Sequence, residues 1–127
     1  MNLYHYRAQV LHVVDGDTLD LMVSLGFDMQ FKTRFRLGGV NTPESYGPTA
    51  CDEGRAAKQF LSDLLPVGTL VVVKTSKDKK EKYGRFLAEV YMLDAKGVPL
   101  SQPVNALMVE KGHAKPYDGG VRAAPQA

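Results

Sequence analysis

Val10-Leu11-His12-Val13-Val14-Asp15-Gly16-Asp17-Thr18-Leu19-Asp20-Leu21-Met22-Val23-Ser24-Leu25 divides at Asp15-Gly16 into two strand-like runs, residues 10–14 and 19–25. An Asp-Gly turn signal between two such runs predicts a β-hairpin. In the second run Leu19, Leu21 and Val23 alternate with Asp20, Met22 and Ser24. Successive side chains of a strand point to opposite faces. Asp17 therefore shares the apolar face of Leu19 and Leu21, and Asp20 points away. An acid on the core side of a hairpin is the first sign of a site.

Working outward, residues 26–30 read as a wider turn and residues 31–37 as a third strand. Phe31, Thr33, Phe35 and Leu37 take one parity of it, and Lys32, Arg34 and Arg36 the other. Gly38-Gly39 and Asn41-Thr42-Pro43 break the strand into a loop running to about Thr49. Ala57, Phe60, Leu61, Leu64 and Leu65 recur at helical spacing and predict a helix over residues 52–65. Asp52 and Glu53 suit its first turn, where the helix dipole favours acids, and Pro66-Val67-Gly68 ends it. Strands over residues 70–74 and 84–93 flank a lysine-rich hairpin tip. Residues 104–111 form a second helix, with Gly112 in the position after its cap.

The order β-β-β-α-β-β-α is a mainly β, α+β layout, that of a five-stranded OB-type barrel, an architecture used widely for oligonucleotides. Residues 1–118 are expected to form this domain. Residues 119–127, rich in Gly, Ala and Pro, are expected to form a flexible C-terminal tail.

The chain has 127 residues, 44% of them apolar and 24% charged, which suits one globular domain with its own core. A single cysteine, Cys51, excludes an intrachain disulfide and a cysteine-rich zinc site. The N-terminal stretch lacks the basic-then-apolar layout of a secretion signal, and no apolar run approaches a membrane span. The expected location is cytoplasmic, without a membrane partner. A net charge of +2 places any polyanion footprint locally rather than over the whole surface. Lys74, Lys77, Lys79, Lys80, Lys82 and Arg85 form such a cluster, opposed by Asp78 and Glu81. It could be a solvated hairpin tip, or it could steer a polyanion.

The chemistry lies in three phrases, Asp15-Gly16-Asp17-Thr18, Asn41-Thr42-Pro43-Glu44 and Tyr83-Gly84-Arg85, with Arg36 between the first two. Carboxylates, an amide oxygen and two guanidinium groups are what holds a hard cation against a phosphodiester. Taken singly, each phrase has an ordinary reading. Asp15-Gly16 is a turn, Arg36 can pair with a surface acid, Pro43 shapes a loop, and Tyr83-Gly84-Arg85 is a hairpin exit.

Taken together with Val104-Asn105-Ala106-Leu107 and Gly112-His113-Ala114-Lys115, the phrases resemble the staphylococcal (micrococcal) nuclease family over residues 10–117. The resemblance implies a five-stranded OB barrel. It also implies Ca²⁺-dependent hydrolysis of DNA and RNA, preferably single-stranded, with little sequence preference and 3′-phosphate products. By motif, Asp17 is then a direct metal ligand and Thr42 ligates through its backbone carbonyl. Asn41 stands where the family's most familiar member has a second ligating Asp. Glu44 holds the attacking water, and Arg36 and Arg85 grip the scissile phosphate. Lys82, Tyr83 and Tyr117 are candidates to line the nucleotide pocket.

One Ca²⁺ is expected, with Mn²⁺ or Mg²⁺ as alternatives, acting in a monomer. A catalytically weak nucleic-acid-binding module is the other reading, and Asn41 is the feature in its favour. Asn105 is expected as a structural hydrogen bonder near its helix start. Leu87 is expected to pack in the core, with contact to a base as the other reading, and His5, His12 and His113 have no metal-ligand spacing.

Overall fold

A computed structural model describes residues 3–43, 45, 51–77 and 86–116. Its elements are β1 (His5–Asp15), β2 (Thr18–Gly26), β3 (Met29–Leu37), β4 (Val40–Asn41), α1 (Asp52–Leu64), β5 (Leu70–Lys77), β6 (Phe86–Met92), α2 (Val104–Glu110) and β7 (Lys115–Pro116). The five long strands close into a barrel in the order β1-β2-β3-β6-β5, with β5 returning to β1. All neighbours are antiparallel except β3 and β6, which run parallel. This is the expected OB-type arrangement with two helices.

Alternation explains the interior. Leu19, Leu21 and Val23 of β2, Phe35 and Leu37 of β3, Val71 and Val73 of β5, and Ala88 and Val90 of β6 all point inward and are buried. β1 breaks the period. Register shifts between Val10 and His12, and again between Val13 and Asp15, let Val10, Val13 and Asp15 all lie buried. Such bulges re-aim side chains at barrel rims.

α1 closes the barrel with Ala57, Leu61 and Leu65, each 0–1% exposed. Its N-cap is Cys51, whose Sγ accepts the Gly54 N–H at 3.4 Å. α2 packs Val104 and Met108 into the same core. It ends as its glycine predicts. Gly112, at φ 80°, donates to the Val109 carbonyl at 3.0 Å, and His113 donates to the Met108 carbonyl at 2.9 Å. That pair of bonds is the Schellman motif. The chain is thereby turned into β7, which pairs antiparallel with β4, Asn41 opposite Lys115.

Several details differ from expectation. The turn over residues 26–30 is tighter than its sequence suggests, because Gly26 and Met29 already pair. Phe27 and Asp28 alone make the turn, at φ 55° and 63°. β4 and β7 carry no periodic signal because each has two residues. Leu87 is not in the core: with Ala88 and Val90 inward, strand parity turns it away, opposite Arg36 on β3. The tip between β5 and β6 and the expected tail over residues 119–127 lie outside the described residues. Among the described residues no helix is long and apolar enough to cross a membrane.

Candidate active site at the β1–β2 turn

The site forms where the β1–β2 turn meets the end of β3 and the start of β4. Asp15 pairs with Thr18, so Gly16 and Asp17 make a two-residue turn. The Asp15 carboxylate accepts the Gly16 N–H at 2.9 Å, which places Asp15 as a support of the turn. Gly16 is required by close approach. A Cβ there would lie 2.8 Å from Ala57 Cβ and 2.9 Å from Thr42 Oγ1. The turn is thereby pressed against both α1 and Thr42, the residue after β4.

Register does the rest. Thr18 lies opposite Arg36, and the Leu37 N–H donates to the Asp17 carbonyl at 2.8 Å. Asp17 is consequently set beside the residues that follow β3. Its Oδ1 accepts the Thr18 hydroxyl at 3.0 Å. Its Oδ2 accepts the Thr42 backbone N–H at 3.2 Å and Arg36 Nη2 at 3.4 Å. The same Nη2 donates to Asn41 Oδ1 at 2.6 Å. The Asp17 and Arg36 side chains are only 10% and 13% exposed, so this ion pair is largely shielded from solvent screening.

Asp17, Arg36, Asn41 and Thr42 are therefore brought together at one end of the barrel. Glu44, Lys82, Tyr83, Arg85 and Tyr117 lie outside the described residues.

The donors suit a hard cation. A carboxylate and an amide oxygen already converge on one positively charged nitrogen, and the buried Thr42 Oγ1 has no hydrogen-bond partner. Ca²⁺ takes such oxygen donors at about 2.3–2.6 Å. Formal charge is sparse, and among the described residues no group of three or more His, Cys, Asp or Glu side chains could hold a metal.

Asn105 holds this end of the barrel in place. Its Oδ1 accepts the Val90 N–H at 3.0 Å, and its Nδ2 donates to the Gly38 and Ala88 carbonyls at 2.8 and 2.9 Å. One buried amide thus ties α2 to β6 and to the turn that leads into β4. Its proximity to a helix start was legible in the sequence, but its grip on Gly38 was not. The close approach at Gly16 was also missed; its signal is the tight Asp-Gly-Asp phrase. His113 stacks on Phe60, with ring centroids 4.6 Å apart, and takes no part in the site.

Comparison with known proteins agrees with this fold. The family model described as staphylococcal nuclease homologue matches residues 34–125, a span that includes Arg36, Asn41, Thr42, Glu44, Arg85 and Tyr117 but begins after Asp17. Endonuclease YhcR of Bacillus subtilis (strain 168) is 31% identical over 120 residues, covering 88% of this chain and 9% of that protein. An uncharacterized endonuclease of Escherichia coli O157:H7 is 31% identical over 112 residues, covering 88% of this chain and 61% of that one. The thermonuclease of Staphylococcus intermedius is 37% identical over 87 residues, covering 67% of this chain and 48% of its own length. The chain thus spans less than two thirds of the length of these relatives. With the matched model covering most of the chain and the expected barrel in place, this protein belongs to the family of staphylococcal nuclease homologues.

Proposed function

We propose that this chain is a metal-dependent nuclease domain that hydrolyses phosphodiester bonds of DNA and RNA, preferring single strands and leaving 3′-phosphate ends. The observation that carries this reading is the convergence of Asp17, Asn41 and Arg36 at one end of the barrel, with oxygens and a guanidinium within hydrogen-bonding distance. The endonuclease and thermonuclease names of the relatives support it.

The Asp17 carboxylate, the Asn41 amide oxygen and the Thr42 backbone carbonyl would hold one Ca²⁺. When bound, the ion supplies charge that polarises a phosphoryl oxygen. Arg36, planar and permanently charged, donates to the phosphate through paired N–H groups. Arg85 does the same from the far side of the sequence. As negative charge builds on the phosphoryl oxygens, both forks stabilise it. Glu44 accepts a hydrogen bond from the attacking water and takes its proton as the water oxygen bonds to phosphorus; the phosphorus–O5′ bond breaks, the phosphate stays on the 3′ side, and the departing 5′-oxygen takes a proton from solvent. Lys82, Tyr83 and Tyr117 hold the nucleotide, the rings by stacking on the base. Mn²⁺ or Mg²⁺ in place of Ca²⁺ leaves these residue roles intact.

A second reading, a nucleic-acid-binding module with negligible hydrolysis, is favoured by Asn41, which lowers the formal charge available to a cation. One experiment separates the two. Heat-denatured DNA is incubated with Ca²⁺, with EDTA, and with Ca²⁺ and Arg36→Ala. Products that need Ca²⁺ and disappear in the variant support the nuclease. Salt-sensitive DNA binding without cleavage under Ca²⁺, Mn²⁺ or Mg²⁺ rejects it in favour of the module.

A further inference from the structure

Phe27 sits at the tip of the β2–β3 hairpin and is 97% exposed. Together with Asp28 it has a left-handed backbone, a conformation that two-residue hairpin turns normally assign to Asn or Gly. Phe therefore costs stability there and gains no burial within the domain. Around it Leu25, Met29 and Phe31 are 44%, 60% and 44% exposed. Phe31 is braced edge-on against Phe86, with ring centroids 6.2 Å apart. The hairpin thus presents an ordered apolar knob to the outside.

A basic stripe runs from the hairpin tip to the site along the face of β3 opposite to Met29 and Phe31. Lys32, Arg34 and Arg36 share the outward parity of β3, with about 6.6 Å between successive members. Lys32 is exposed. Arg34 is bonded to Asp20 at 2.8 Å and keeps 56% of its side chain exposed. From Met29 to Arg36 the strand spans about 23 Å, on the order of seven nucleotides at the stacked rise of about 3.4 Å.

We propose that the β2–β3 hairpin is a second nucleic-acid-binding site, distal to the scissile position. A single strand leaving Arg36 runs its phosphates past Arg34 and Lys32 and stacks a base on Phe27. This rests on the nuclease reading of the Arg36 site. A polyanion with unpaired bases matches both the cations and the aromatic tip, and its path is continuous with the site. A second copy of the chain would bring two like-charged stripes together. OB barrels also use the face of their second and third strands for oligonucleotides.

The test is fluorescence anisotropy with labelled oligothymidylates of 3 and 16 nucleotides in EDTA, using wild type, Phe27→Asn and Lys32→Ala. Asn suits the left-handed turn, so the melting temperature of Phe27→Asn should equal or exceed that of wild type. The inference expects wild type to bind the 16-mer more tightly than the 3-mer. Phe27→Asn should lose on the order of tenfold of 16-mer affinity, and Lys32→Ala should reduce the salt slope by about one. Wild-type 16-mer affinity in Phe27→Asn overturns the inference alone if Ca²⁺-dependent cleavage persists. No binding and no cleavage by wild type overturns it together with the nuclease reading. A wild-type dimer that Phe27→Asn dissociates in sedimentation, with oligonucleotide affinity unaltered, assigns the knob to a second copy and also overturns it.

Discussion

A single nitrogen of Arg36, 2.6 Å from Asn41 Oδ1 and 3.4 Å from Asp17 Oδ2, does at the residue scale what a bound cation would do: it neutralises and gathers the oxygens. Asn41 supplies an oxygen without a charge, and calcium affinity falls with the charge count of its ligands. Asn41→Asp is therefore predicted to bind Ca²⁺ more tightly, on the order of tenfold, by isothermal titration calorimetry. An unchanged dissociation constant would remove Asn41 from the ligand set. Gly16 provides a steric test of the same site. Gly16→Ala pushes a methyl to 2.8 Å from Ala57 Cβ and is predicted to cost about 1–3 kcal/mol in urea unfolding. It should also depress cleavage, because the atom displaced on the other side belongs to Thr42. Normal stability in this variant would mean that the turn and α1 are less tightly apposed than described.

Between elements, Asn105 carries the most consequence. Asn105→Ala takes a partner from the Val90 N–H and the Gly38 carbonyl, while the Ala88 carbonyl still accepts the Gly38 N–H at 2.9 Å. Each buried polar group left unpaired costs about 1–3 kcal/mol, and the turn leading into β4 loses one of its two ties to the barrel. The prediction is a destabilisation of at least about 2 kcal/mol by denaturant titration. Loss of cleavage beyond the unfolded fraction is expected as well. A variant that melts like wild type would show that Gly38 is held by other means. The elements also show what the sequence disclosed. Alternation in Leu19, Leu21 and Val23, and helical spacing in Ala57, Leu61 and Leu65, were readable because burial on one face has a period. Gly112 was readable because a glycine just past the last helically spaced residue suits the left-handed position that ends a helix. The Phe27-Asp28 turn was not, since neither residue advertises a left-handed backbone. Nor were the shifts in β1 or the pairing of β4 with β7, where two residues are too few for any pattern. At the site, strand parity put Asp17 on the core face, whereas the structure buries it in the turn before β2, with its carboxylate toward Arg36. Its meeting with Asn41 and Thr42 depended on strand register and on Gly16, which no local pattern encodes.

For the whole molecule, the barrel and α1 stand or fall together. Leu61 is wholly buried, and Leu61→Ala is predicted to cost about 2–5 kcal/mol, read as a lower denaturation midpoint. Because α1 also presents Ala57 to Gly16, some loss of cleavage should appear even where the variant is fully folded. The closure of the barrel has its own consequence. Among the described residues β3 and β6 pair through Phe35, Arg36 and Leu37 against Phe86, Leu87 and Ala88, and they run parallel, a pairing slightly less stable per residue than the antiparallel pairing of β1 with β2. Such a join is the natural place for the barrel to breathe. Native-state hydrogen exchange should find the amides across it opening at lower free energy than those between β1 and β2. Arg36 lies within that join, so each opening would loosen the residue proposed to grip the phosphate while most of the barrel stayed shut.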